Sequence, residues 1–180
     1  MKGKVVAVSL SPSHSFSKPN TFSIRLIEGL GVEGDSHFGE TVQHLSRIKV
    51  DPTQKNLRQV HLITQELIDE LQGKGFIITP GTIGDNITTL GINLINLPTA
   101  TRLKIGEHAV IEITGLRNPC SQLDKYQQGL TAAVLDRDEN GKIIRRAGVM
   151  AIVICGGDIS ANDEITVELP PEPFIPLERV

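Results

Sequence analysis

Arg117-Asn118-Pro119-Cys120 holds the side chain best suited to chemistry in this 180-residue chain. Pro119 fixes the backbone just before the thiol and suits the first position of a helix. If a helix opens there, Cys120 falls in its first turn, where the positive end of the dipole favours a thiolate and Arg117 adds charge. Metal ligation and persulfide chemistry both require that thiolate. The competing reading is an inert core thiol, a common state of free cysteine. Cys155, which ends the apolar run 149–154, is expected to be such a packed thiol. The two cysteines form no C-x-x-C and no zinc spacing, and a disulfide between them is left open.

Three other stretches carry polar groups at suggestive spacing. In Gly31-Val32-Glu33-Gly34-Asp35-Ser36-His37-Phe38-Gly39, the glycines can present backbone N–H groups to an anion. Asp35 and His37 there could share a proton or bond a ligand, although Gly and Asp also dominate ordinary turns. Arg58, at a strand start, offers a fork for phosphate or carboxylate, and otherwise is a surface cation. Alternation puts His61 beside Gln59 on one strand face, packed or exposed rather than ligating. In Pro80-Gly81-Thr82-Ile83-Gly84-Asp85-Asn86, the Asn86 amide carries donor and acceptor and could read a heterocycle edge, against the plainer reading of a strand-entry turn. The five histidines show no H-x-x-x-H or H-E-x-x-H spacing, so no preformed zinc site is expected.

These residues must be positioned by short strands. Lys4–Leu10 is β-branched and apolar. Thr21–Leu26 alternates, placing Phe22, Ile24 and Leu26 on one face. Glycine-rich 29–39 reads as a loop, and 40–56 as a polar, unpatterned excursion, mobile in character. Arg58–Ile63 reads as a strand. Thr64 then caps a helix with Glu66 in its first turn and Leu67, Ile68 and Leu71 on one face, stopped by Gly73 and Gly75. Asn86–Thr89, Thr101–Ile105 and Ala109–Thr114 are strands, the last two paired as a hairpin across Gly106-Glu107. A short helix is expected over 122–128, with Ala132–Leu135 continuing helical. Residues 138–142 form a turn, Gly148–Ile154 a central strand, and Gly156-Gly157-Asp158 a turn. Glu164–Leu169 is the last strand, and Pro170–Pro176 begins a surface arm.

The fold class expected is mostly β: a closed or folded-over β-barrel with one or two short helices, in one domain over 1–180 with its core at 4–169. With five Phe, one Tyr and no Trp, the core must be built from Ile, Leu and Val. A net charge of −3 gives no reason to expect nucleic acid, and no apolar run is long enough to span a membrane. No signal peptide is visible, and cytoplasmic location with reduced thiols is the expectation.

The motifs are short, but their order is specific: G-x-x-G-D-x-H-x-G, R-Q-V-H-L, P-G-T-I-G-D-N-I-T, G-I-N-L, L-K-I-G-E, N-P-C, then G-V-M-A-I-V-I-C-G-G-D-I. This succession, from about Lys4 to Leu169, resembles the MOSC domain, named for the C-terminal domain of molybdenum cofactor sulfurase. The resemblance implies a barrel-like β fold in a stand-alone, bacterial-type member that binds the molybdenum cofactor (molybdopterin) or handles sulfur. Cys120 matches the family's functional cysteine, a molybdenum ligand in some relatives and a proposed persulfide carrier in others. Arg58, Arg117 and Asn118 would meet the phosphate or pterin, and Asp35, His37 and Asn86 would line the pocket. Some stand-alone members are linked to reduction of N-hydroxylated compounds. The desulfurase domain of the full sulfurase is absent, so pyridoxal phosphate has no support here, and sulfur would come from a partner cysteine desulfurase. No cysteine-rich ferredoxin-like tail is present, so redox chemistry needs an electron-donor protein. The rival readings are a metal-free persulfide carrier and a non-enzymatic barrel that binds an anionic small-molecule ligand or partner, with Cys120 incidental.

Overall fold

The computed structural model describes residues 1–180. Thirteen strands are present: β1 (Lys2–Ser9), β2 (Asn20–Thr21), β3 (Ser23–Ile27), β4 (Gly31–Val32), β5 (Val60–Thr64), β6 (Ile87–Leu90), β7 (Arg102–Ile105), β8 (Ala109–Leu116), β9 (Leu135–Arg137), β10 (Ile143–Arg145), β11 (Val149–Cys155), β12 (Gly157–Ser160) and β13 (Glu164–Glu168). The helices are short: α1 (Leu45–Ile48), α2 (Gln65–Gly73), α3 (Gln122–Tyr126) and α4 (Leu130–Ala133), with a 3₁₀ turn at Leu94–Asn96.

The main sheet runs β13-β7-β8-β11-β5-β6-β1-β2, and pairing of β13 with β1 closes seven of these strands into a barrel. Closure leaves no exposed ladder around the ring. All pairs are antiparallel except β5 with β6, whose connection carries α2 across the outside as a βαβ unit. β8 shows why these residues are a strand: Ala109, Ile111, Ile113 and Gly115 are buried while the residues between them are less so. With Val5, Leu103, Ile105, Val149, Ala151 and Ile165 they fill the barrel. A second core lies outside, where Leu67, Ile68 and Leu71 of α2 pack with Ile63, Ile83, Leu123 and Leu130. Thr64 caps α2 by accepting from the Leu67 N–H at 3.2 Å.

Several expectations need correction. Phe22 does not share the face of Ile24 and Leu26; it is 91% exposed. The chain bends there, because β2 pairs with β1 whereas β3 pairs with β12 in a second, three-stranded sheet. Gly157 and Asp158 are not a turn but the start of β12. Leu135 opens β9, which forms a hairpin with β10 across the 138–142 turn, so the helix ends at Ala133. Cys155 is exposed, because it lies at the end of β11 beyond the packed part of the strand. The tail returns to the body: Leu177 is buried, and Leu116 N–H donates to Glu178 O. The 40–56 excursion is tied by a bridge between Thr41 and Lys55 and by buried Val42, with α1 at its tip. No helix is long and apolar enough to cross a membrane.

Candidate functional site

A cleft of about 630 Å³, within the range that holds small molecules, opens beside the barrel between the 11–20 loop, the 40–56 excursion and α3. Cys120, Arg117, Asn118, Arg58, His37 and Asn86 all line it. Of the residues expected at the site, only Asp35 does not line the cleft; it lies directly behind, bonded to Lys18 and Asn86.

Asp35 organises the wall. Its side chain is fully buried, as is that of Lys18 at 2% exposure, and Lys18 Nζ approaches Oδ1 and Oδ2 at 2.9 and 3.0 Å. Oδ1 also accepts from Ser11 N–H and Asn86 Nδ2, and Oδ2 from the His37 backbone N–H. His37 Nδ1 lies 3.3 Å from Oδ2. Burial alone would raise the Asp35 pKa, but the His37 and Lys18 contacts outweigh it and hold the carboxyl well below its usual range. An ionised carboxylate only accepts, so Nδ1 carries a proton toward Asp35, and in the neutral form of the ring Nε2 is left as an acceptor.

Asn86 is buried by the same logic. Its Nδ2 donates to Ser9 O and Asp35 Oδ1, and its Oδ1 accepts from His61 N–H. Both amide protons are spent inside the protein, so Asn86 braces β5 against β1 and Asp35 rather than offering a free amide edge. His61 is packed at the cleft floor, where Nε2–H donates to Ala147 O at 2.9 Å and burial holds its pKa well below normal. Asn118 is exposed and its Oδ1 accepts from Arg145 Nε.

The cations are unmatched. Arg47, Arg58, Arg117 and Lys125 line the cleft, and none forms an ion pair or a side-chain hydrogen bond within the protein. Arg58 Nε and Arg117 Nη1 are buried without any partner. Each orphaned donor costs about 1–3 kcal/mol. Burial, then Arg47 and Arg117, lower the Arg58 pKa to about 10; burial lowers that of Arg117, with Cys120 and the buried Asp85 opposing. Both stay charged at neutral pH, so the cleft carries positive charge that no side chain of the protein neutralises.

Cys120 is exposed and lies ahead of α3, not within its first turn, because the helix begins at Gln122. Its Sγ is 3.7 Å from Gln122 Oε1, and its carbonyl accepts from Leu123 N–H. Both cysteines are free. No three His, Cys, Asp or Glu side chains converge as a protein-only metal site.

Lys18, Arg47, Lys125, His14 and His44 belong to the site without any motif announcing them. One signal is present: three of the five histidines fall at 14, 37 and 44, in loops rather than strands.

The MOSC domain family matches residues 34–166. No curated protein matches the chain. Among solved structures, the YuaD protein of Bacillus subtilis is similar at 25% identity and a TM-score of 0.78, over 95% of this chain and 98% of that one. YiiM of Geobacillus stearothermophilus shares the fold at 15% identity and a TM-score of 0.65, over 97% of this chain and 79% of the other. YiiM of Escherichia coli does so at 19% and 0.61, over 97% and 73%.

Proposed function

The chain belongs to the MOSC domain family, and from that premise we propose that it binds the molybdenum cofactor in the cleft, with Cys120 as thiolate ligand to the metal. The observation that carries this reading is the pair of buried, partnerless guanidinium N–H groups on Arg58 and Arg117 in the cleft that holds the exposed thiol. A phosphate accepts from just such forks. Arg47 and Lys125, free of internal partners, would meet remaining anionic oxygens. A single thiolate suits a metal whose other ligands arrive with a pterin dithiolene, as no three-ligand protein site is present.

Bound there, the cofactor would supply two-electron redox chemistry. The protein's own part is placement. Arg58 and Arg117 fix the phosphate end, Asp35 and Asn86 hold the wall, and His37 offers Nε2 to exchange a proton with whatever lies in the cleft. The substrate class proposed is N-hydroxylated compounds: R–NHOH takes two electrons and two protons to give R–NH₂ and water. The electrons would come from a separate donor protein.

Anaerobic purification from a molybdenum-replete host, followed by metal and pterin analysis, tests this. Near-stoichiometric molybdenum that is lost in Cys120→Ser is the expected result. Cofactor-free protein from a host that demonstrably makes the cofactor refutes it. The exposure of Cys120 supports a second reading, persulfide transfer, because a partner desulfurase could reach the thiol. A mass gain of one sulfur after incubation with desulfurase and cysteine, absent in Cys120→Ser, would favour that reading.

A further inference from the structure

Three imidazoles stand against the cleft's cations. The His37 ring centroid lies 4.8 Å from that of His44 and 5.5 Å from that of His14. His14 comes from the loop after β1, His37 from the loop after β4, and His44 from the residue before α1, yet all three line the cleft. His14 Nε2–H donates to Gln43 O, which ties the 11–20 loop to the excursion carrying His44.

The charged and titratable groups that share this cleft come from every element around it. Arg47 belongs to α1, Arg58 precedes β5, Arg117 and Cys120 follow β8, and Lys125 belongs to α3. Lys18 belongs to the 11–20 loop with Asp35 behind it, and His61 lies on the floor. These cations oppose any further positive charge in the cleft. Burial, followed by His37, Arg58, Arg47 and Arg117, draws the His44 pKa down to about 3, so His44 is neutral.

An anion reverses that balance. It neutralises the guanidinium field that disfavours an imidazolium. It also meets His37 Nε2, which is an acceptor in the neutral ring, lone pair against oxyanion, because Asp35 holds a ring proton on Nδ1. Protonation at Nε2 turns that repulsive contact into a donated, charge-assisted bond, with the Asp35 carboxylate already in place on the far nitrogen. We infer that an anion entering the cleft is bound together with a proton, taken up by the His37–His44 pair, so that the site holds its ligand more tightly as pH falls. This rests on the cleft being an anion site, not on the anion being a molybdopterin phosphate.

Sulfate is the probe, because its charge stays constant across the working range whereas phosphate titrates. Calorimetric titration of the full-length protein with sulfate is run in two buffers of different ionisation enthalpy, from pH 6 to 8, in the Cys120→Ser background to remove the thiol's own titration. Full coupling to one proton gives at most about a tenfold fall in association constant per pH unit, with a buffer-dependent heat of matching size. His37→Gln/His44→Gln, shown folded by circular dichroism, is expected to bind sulfate with the pH dependence gone. Equal heats in both buffers with pH-independent binding overturn the inference, as does failure of sulfate to bind. Undiminished proton uptake in the double variant overturns the assignment to this pair. Wild-type protein that leaves a cofactor-making host free of molybdenum and pterin, yet shows proton-linked sulfate binding, removes the cofactor reading and leaves this one standing.

Discussion

Asp35→Asn exposes how far the cleft wall depends on one buried charge. The native carboxylate accepts from the Ser11 N–H, Lys18, Asn86 and the His37 backbone N–H and contacts the His37 ring, with no side-chain surface left to solvent. Asparagine keeps one acceptor oxygen and turns an NH₂ toward groups that are themselves donors. More costly, the Lys18 ammonium stays behind at 2% exposure with no counter-charge. Removing one partner of a buried pair costs about 3–5 kcal/mol, a large share of the roughly 5–15 kcal/mol that holds a domain of this kind folded. The native pair also dictates a pH signature. The folded-state Asp35 pKa is depressed, so its contribution is fully present above the unfolded carboxylate range near pH 4 and is lost as pH falls through the folded value. Urea unfolding from pH 3 to 7 should therefore show the gap between wild type and Asp35→Asn narrowing toward acid. Adding Lys18→Met should recover at least half of the loss at pH 7, because it removes the stranded charge. A single-variant cost below about 1 kcal/mol, or no recovery on adding Lys18→Met, would show that the pair does not hold the wall together.

Two further outcomes separate ligand-facing groups from structural ones. Arg58→Gln and Arg117→Gln each remove a buried donor that has no partner, so ligand-free stability should stay level or rise by about 1–2 kcal/mol, while sulfate affinity by calorimetry falls at least tenfold; a loss of more than 2 kcal/mol would mark these arginines as structural instead. Thr64→Ala should cost about 1 kcal/mol in urea unfolding by leaving the Leu67 N–H uncapped, with sulfate binding unchanged, because Thr64 is not among the residues lining this cleft.

Much of the barrel is readable because two-residue periodicity survives wherever one strand face is buried. Ala109–Leu116 alternates buried and half-buried along its whole length, and Thr64 with Leu67, Ile68 and Leu71 marks α2 by the same kind of local rule. Phe22 defeats that rule. The pattern Phe-x-Ile-x-Leu is a good strand face, but the chain leaves one sheet at Thr21 and joins another at Ser23, and no local pattern records a change of sheet. Closure is equally silent. It depends on Lys2 meeting Thr166, a pairing between the two ends of the domain that neither segment encodes alone.

The site divides along the same line, between what a motif states and what only convergence creates. Cys120, Arg117, Arg58, His37 and Asn86 stand in short ordered stretches that can be picked out one by one, though their roles differ once placed: Asn86 is consumed in bracing, whereas Arg58 and Arg117 keep unspent donors. Lys18, His14 and His44 are single residues in polar loops, and Arg47 and Lys125 lie on very short helices, all indistinguishable in sequence from ordinary surface groups. Their meaning is electrostatic, and electrostatics depends on distance in space. A chain with a net charge of −3 gathers four unpaired cations and four imidazoles on one cleft, while many of its acids are paired elsewhere: Asp158 with Arg25, Glu112 with Arg102, Glu70 with Arg146 and Lys74. Overall charge therefore argues against an anionic partner at the scale of the molecule and says nothing at the scale of the cleft. The basic site lies in the partition of charge between paired surface and unpaired pocket, and that partition exists only once the chain has folded.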